Sequence, residues 1–196
     1  SRAAIAGGIT AVFEMPNTNP PTSNKKEFQR KLDLAKNRMY CNYAFYFGAT
    51  ADNANDLASL KDLEGCCGIK LFAGSSTGNL LVADEKDIDK VFQNSSKVVA
   101  VHSEDEEVLN KNKKLIKNGD VHSHPIWRSE ECAMSSTRRI VRLAEKHNKK
   151  AHVLHITTKQ EIDFLSQHKG NITFEITPQH LTIFAPDCYD RLGTYA

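Results

Sequence analysis

An α/β fold built on a parallel sheet is what this sequence predicts, and three observations predict it. Six short runs read as strands that are apolar on both faces, which suits strands covered by helices on either side. Longer segments with helical spacing fill the gaps, so strand and helix alternate along the chain. Polar residues collect at or near the C-terminal ends of the runs, as they do in barrels of alternating strands and helices.

The first run, TAVFEMP (10–16), ends on Pro16. SNKKEFQRKLDLAKNR (23–38) follows as a helix, with Asn24 and Glu27 at capping-pair spacing and Phe28, Leu32 and Ala35 on one face. CNYAFYFG (41–48) is the second strand, closed by Gly48, and NANDLASLKDLEG (53–65) is a shorter helix that stops at Gly65. GIKLFAG (68–74) is the third strand. ADEKDIDKVFQNS (83–95) opens with acids that suit a helix N-terminus. After KVVAVHSE (97–104), EDEEVLNKNKKLIKNG (104–119) runs from acidic to basic, as the helix dipole favours, and ends at Gly119. The stretch 129–148 is the longest helical pattern. KAHVLHIT (150–157) is the fifth strand, TKQEIDFLSQH (158–168) a helix with Thr158 and Glu161 in capping-box spacing, and NITFEITP (171–178) the sixth strand.

An open doubly wound sheet and a closed barrel both fit this alternation. No G-x-G-x-x-G follows the first strand, and MPNTNPPT (15–22) cannot bind a pyrophosphate in that manner. No repeat, low-complexity tract or linker divides the chain, so residues 1–196 are expected to belong to one domain. The sequence opens on SRAAIAGG without an initiator Met and stops on RLGTYA, as a piece of a longer chain would.

Composition narrows the function classes. With 196 residues, 40% hydrophobic and 26% charged, the chain has the balance of a globular protein with a sizeable core. A formal net charge of +2, with basic and acidic residues interspersed, gives no nucleic-acid footprint, and no apolar run is long enough to span a bilayer. Five cysteines without C-x-x-C spacing read as reduced thiols and favour the cytoplasm; a cysteine zinc site is not expected.

Lys70 is the residue that asks for an explanation, because Ile69, Leu71 and Phe72 flank it in a strand that belongs inside. A lone ammonium there is costly to desolvate. Asn17 follows the first strand, His102 and Glu104 end the fourth, His155 ends the fifth, Glu175 lies in the sixth and His180 just after it. Strand parity puts Ala151, Val153 and His155 on one face and His152, Leu154 and Ile156 on the other. His155, nearer the C-terminal end, is taken as the inward one, leaving His152 as a core or helix-facing histidine. Neutral imidazole is a common zinc ligand. An ammonium has no lone pair to offer, but buried lysines have lowered pKa values and can present a free amine. Such an amine adds to carbon dioxide with loss of a proton, giving a carbamate whose two oxygens can bridge two cations. Singly, Lys70 reads as a snorkelling lysine and each histidine as a satisfied core residue; together, on successive strands, they outline a metal site. His122, His124, Trp127 and Arg128 form a polar-aromatic cluster that reads as a solvated start to the long helix. Thr77, in the GSSTGN loop past Lys70, is placed to line or cover a site.

The segments SRAAIAGGITAVFEMPNTNPPT, GIKLFAGSSTG, AVHSEDE, AHVLHITT and FEITPQHL, in this order and over essentially the whole chain, resemble dihydroorotases of the amidohydrolase superfamily. The MPNT segment is the most discriminating. The resemblance implies a (β/α)8 TIM-type barrel of the metal-dependent hydrolase type, here an incomplete segment with about six strands. It also implies two zinc ions and the reversible cyclisation of N-carbamoyl-L-aspartate to L-dihydroorotate in pyrimidine biosynthesis. By the same resemblance Lys70 is carboxylated and bridges the two Zn2+, His102 and His155 are metal ligands, and Asn17 binds the substrate carboxylate. The two ions would polarise the ring carbonyl and activate the attacking water.

Parts of the family pattern are missing. No H-x-H strand precedes Ser1, the HSH at 122–124 sits between helices, and the strand bearing the catalytic aspartate is not in the segment, so the segment alone is expected to be inactive. Glu14 and Gln179 stand where many relatives have aspartate and histidine. The alternatives are another cyclic amidohydrolase, an allantoinase or a hydantoinase (dihydropyrimidinase), and a non-catalytic scaffold. MPNT argues against the former, and retention of Lys70, His102 and His155 against the latter. The partners implied are a small-molecule substrate and, beyond it, a homodimer or an assembly with pathway enzymes; neither nucleic acid nor membrane is expected.

Overall fold

The computed structural model describes residues 1–76 and 79–195. The chain divides into two compact units, Ser1–Phe72 with Ser76–Ala100, and Ala73–Ser75 with Val101–Ala196. The fourth strand passes through the division, so each unit holds part of it.

The first unit contains α1 (Arg2–Ala6), β1 (Ala11–Glu14), α2 (Lys25–Ala35), β2 (Asn42–Gly48), a 3-10 turn (Ala54–Leu60), β3 (Cys66–Phe72), α3 (Glu85–Asn94) and the start of β4 (Val99–His102). β1 pairs with β2, and β2 with β3, both in parallel. Ile69 N–H donates to Val98 O at 2.9 Å, carrying the ladder to the residue before β4. The β2–β3 register slips between Phe45 and Tyr46, so Tyr46 faces Gly68. A Cβ on Gly68 would lie 2.7 Å from the Tyr46 ring and 2.9 Å from Val98 O, which leaves no room for a side chain.

The capping pair read from the sequence holds α2: Asn24 Oδ1 accepts from Glu27 N–H at 2.9 Å. The helix buries Phe28, which packs against Phe45 and Phe47 with ring centroids 6.3 and 6.1 Å away. Asp84 caps α3, whose Ile88, Val91 and Phe92 are fully buried at helical spacing. The helix expected over 53–65 is instead the 3-10 turn. Asn53 does not cap it. Its amide donates to Gly48 O and Ser23 O, both at 2.9 Å, and its Oδ1 accepts from Thr50 N–H. β1 also differs from expectation. It is an edge strand among the described residues, and Phe13 is 58% exposed.

The second unit contains the end of β4, α4 (Glu106–Asn112), α5 (His124–Trp127), α6 (Glu130–Lys146), β5 (Ala151–Val153), α7 (Lys159–Leu165), β6 (Ile172–Phe174), α8 (Pro178–Thr182) and α9 (Asp187–Leu192). β5 and β6 pair in parallel, and Leu154 N–H donates to Val101 O at 3.1 Å, joining β5 to β4. Within each unit neighbouring strands lie in chain order, the order of a barrel of alternating strands and helices rather than of a doubly wound sheet.

α6 is the longest helix and buries Cys132, Ile140, Val141, Leu143 and Ala144. Thr158 caps α7 as its spacing to Glu161 suggests: its Oγ1 accepts from Glu161 N–H at 3.1 Å, and its hydroxyl donates to Glu161 Oε2 at 2.9 Å. The helix expected to reach Gly119 stops at Asn112 and passes into a 3-10 turn over Lys113–Leu115. The last two strands are shorter than their apolar runs. The five cysteines carry no disulfide, and Cys66 and Cys132 are buried. Among the described residues no helix is long and apolar enough to cross a membrane.

Candidate functional site

In the second unit His102 closes β4 and His155 lies two residues beyond the end of β5. His102 Nδ1 and His155 Nε2 are 3.0 Å apart, with ring centroids 4.9 Å apart at 62°. Parity set His152 and His155 on opposite faces of a strand, but His155 does not lie in one. The strand ends at Val153, and His155 adopts φ +40°, a left-handed conformation that a residue with a Cβ rarely enters. Three bonds hold the backbone there: Leu154 N–H to Val101 O, His155 N–H to Glu175 Oε1 at 3.3 Å, and Ile156 N–H to Glu175 O at 2.9 Å. Strained backbone that its neighbours over-determine is common at functional positions.

Of the two expectations for His152, core or helix-facing, the structure does not support a core position. It is part-exposed and turned toward the β6 side, with Nδ1 2.8 Å from Thr173 Oγ1 and Nε2 3.2 Å from Glu175 Oε2. Glu175 therefore holds the ring of one histidine and the backbone of the other.

The other nitrogen of His102, Nε2, lies 2.8 Å from Glu104 Oε2. Arg128 grips the same carboxylate with both arms of its guanidinium, Nε donating to Oε1 at 2.9 Å and Nη2 to Oε2. Burial alone would raise the Glu104 pKa. The hydrogen bonds and charges of His102 and Arg128 outweigh it and bring the carboxyl down to about 2. Arg128 also stacks over the Trp127 ring, 5.2 Å from its centroid.

Sequence reasoning missed the role of Arg128, since the cluster around it reads as a solvated helix start in preference to a binding role. Nothing local links positions 104 and 128. The available signal was a carboxylate two residues after a candidate ligand histidine, which needs a partner when buried. The neighbouring HSH does not converge on this pair. His124 Nδ1 meets the Tyr189 hydroxyl at 2.9 Å, and His122 Nε2 lies 3.6 Å from Asp190. Burial, helped by the charge of Arg128, pushes the His124 pKa down.

In the first unit Lys70 is 2% exposed on β3. Its Nζ donates to Leu71 O at 2.9 Å and sits 3.9 Å from the centroid of the Phe72 ring. Asn17 is exposed in the loop after β1, next to buried Pro16, whose carbonyl accepts from Thr18 N–H and Thr22 N–H. A groove beside β1 is lined by Phe13, Glu14, Thr18, Lys31 and Phe45, and neither Asn17 nor Lys70 lines it. Thr77, expected to cover a site, lies outside the described residues.

Among the described residues no three His, Cys, Asp or Glu side chains converge as ligands. The donors that do converge are the two imidazole nitrogens. Two such nitrogens on one tetrahedral zinc, each at 2.0–2.1 Å, stand about 3.3 Å apart. The 3.0 Å separation of His102 Nδ1 and His155 Nε2 is close to that, so the pair fits a shared cation. Glu104, committed to Arg128 and His102, is a supporting group for that pair.

No family model matches the chain. It is 30% identical to the dihydroorotase of Pyrococcus furiosus over 97% of its own length and 40% of the relative's. It is 30% identical to that of Methanosarcina mazei over 100% of its own length and 45% of the relative's. Among solved structures, the L-hydantoinase (dihydropyrimidinase) from Arthrobacter aurescens superposes with a TM-score of 0.90 at 25% identity, covering 99% of this chain and 45% of that one. A D-hydantoinase superposes at 0.81 with 22% identity. The chain spans less than half the length of the curated relatives it matches. The similarity to dihydroorotases extends along the chain, and the expected fold, part of a (β/α)8 amidohydrolase barrel, is the one it shares with these hydantoinases.

Proposed function

We propose that this chain, similar along its length to dihydroorotases, is the part of a dihydroorotase barrel that carries its middle strands. The reaction is the zinc-dependent, reversible cyclisation of N-carbamoyl-L-aspartate to L-dihydroorotate, a step of pyrimidine biosynthesis in the cytoplasm. The observation that carries this reading is the approach of His102 Nδ1 and His155 Nε2 to 3.0 Å, in a chain similar to those enzymes from end to end.

In this reading His102 and His155 would hold a zinc ion through those two nitrogens, and Lys70, in its carbamate form, would serve as a zinc ligand from the first unit. Zinc held there supplies Lewis acidity toward the ring carbonyl. The chain's own contribution is positioning. Lys70 is supported as the carbamate by its burial in an apolar strand. The Asn17 amide donates to the substrate carboxylate and restricts how the ring can lie, which lowers the entropy lost on reaching the reactive geometry. A homodimer or an assembly with neighbouring pathway enzymes belongs to the same proposal.

A second reading, a hydantoinase, is favoured by the TM-score of 0.90 to the L-hydantoinase. One panel decides: the zinc-loaded whole enzyme to which this segment is proposed to belong, assayed on dihydroorotate, hydantoin and allantoin. Turnover of dihydroorotate, abolished by Lys70→Ala and partly restored by added small carboxylic acids, is the expected result. Turnover of hydantoin without dihydroorotate would replace the first reading with the second, and no turnover of any of the three would remove both.

A further inference from the structure

From the second unit we infer that Arg128 and Glu104 are positioning residues that fix the tautomer of His102, so that Nδ1 carries the lone pair facing His155. Its tautomer half stands on the geometry alone; only its consequence for zinc rests on the function proposed above.

A carboxylate accepts hydrogen bonds and cannot donate them. Glu104 Oε2 lies 2.8 Å from His102 Nε2, so Nε2 must carry a proton. In the neutral imidazole the proton is then absent from Nδ1, the nitrogen 3.0 Å from His155 Nε2. Two lone pairs would repel at that distance. Without a cation between them, His155 supplies the bonding proton from its own Nε2. To share a cation, His155 must move that proton to Nδ1 through solvent, whereas His102 needs no change. The two histidines are thus unequal: one is preset and the other switches.

Arg128 makes the presetting firm. A lone carboxylate can rotate and offer either oxygen, or bond to water instead. The guanidinium fork engages both oxygens of Glu104, with Nε on Oε1 and Nη2 on Oε2, while Oε2 also meets His102 Nε2. The Trp127 ring under the guanidinium limits its own movement. Lysine, a single point charge, could keep the charge but not the fork.

The test is long-range 1H–15N correlation of the histidine side chains in the full chain, without zinc and then with it, for wild type, Glu104→Gln and Arg128→Lys, together with a zinc titration. The expected wild-type result is protonated Nε2 and unprotonated Nδ1 on His102 in both conditions, with His155 changing tautomer when zinc is added. Glu104→Gln should mix the His102 tautomers and weaken zinc binding about 10- to 100-fold, as loss of such supporting groups does. Arg128→Lys should fall between the two. Wild-type His102 protonated on Nδ1 would overturn the inference, and this needs no variant to fold. An unmixed His102 tautomer and unchanged zinc affinity in both variants would overturn it as well. If the wild-type and variant tautomers behave as expected but no zinc binds, the tautomer assignment stands and the metal reading fails.

Discussion

The Ser135 hydroxyl donates a 2.7 Å hydrogen bond to Asp105 Oδ2, tying α6 to the residue that caps α4. The other oxygen, Oδ1, accepts from Glu107 N–H at 3.0 Å and Val108 N–H at 3.2 Å. Burial by itself would raise the Asp105 pKa. The Ser135 hydroxyl, the Val108 amide, the Arg139 charge and the Glu107 amide together bring it below the ordinary 3.8. A carboxyl lowered in the folded state stabilises it fully above its unfolded pKa and loses that contribution as pH falls through the folded value. Asp105→Asn should therefore cost about 1–2 kcal/mol at pH 7. The gap between variant and wild type should close as pH drops below about 3.8. Urea unfolding at neutral pH and at several points below 4 measures both; a gap that stays constant with pH would show that ionisation of Asp105 contributes nothing.

Gly74 is a second packing constraint beside the site. A Cβ there would lie 2.5 Å from Glu104 O and 2.9 Å from Glu104 C, and backbone cannot move aside as a flexible side chain can. Gly74→Ala should destabilise the protein by about 1–3 kcal/mol and displace Glu104. Thermal unfolding reads the first effect and the His102 resonances read the second. A variant with wild-type melting temperature would contradict the close packing.

How much of this was legible in the sequence depended on how local each feature is. The Asn24–Glu27 and Thr158–Glu161 caps lie three residues apart and form as read. The buried lysine strand was visible because an ammonium among Ile69, Leu71 and Phe72 breaks an apolar pattern. The Arg128–Glu104 fork spans 24 residues and exists only once α5 has turned back toward the end of β4, so no spacing rule could find it. His155 was preferred to His152 for lying nearer the strand's C-terminal end, but β5 stops at Val153, and only the fold reveals the left-handed backbone at His155. The Asn53 side chain shows why an apparent helix start lacks a cap: its oxygen, the group that could cap, already accepts from Thr50 N–H, while its amide is bonded back to Gly48 and Ser23.

Thiol reactivity should follow burial. Desolvation pushes the Cys132 thiol up to about 12, and desolvation followed by the neighbouring charge of Cys66 does the same for Cys67. Only the thiolate is nucleophilic. With an aromatic disulfide reagent at pH 8, both should label slowly in the native state and at the rate of Cys41 and Cys188 after unfolding. Mass mapping of the labelled peptides distinguishes them. Fast native labelling at Cys132 would mean that this part of α6 opens readily.

The left-handed backbone of His155 separates stability from function. At φ +40° any residue with a Cβ carries strain of roughly 1–2 kcal/mol that glycine avoids. His155→Ala and His155→Gly remove the same imidazole, so the difference between them isolates the backbone. Glycine, ordinarily the more destabilising of the two, should here be the more stable by about 1 kcal/mol in urea unfolding. Zinc at about a hundred times its dissociation constant should stabilise wild type by roughly 2.7 kcal/mol and neither variant appreciably. If alanine proves equal to or better than glycine, the conformation of His155 is not strained. If zinc stabilises both variants as it does wild type, the imidazole is not a ligand and the pairing with His102 serves packing alone.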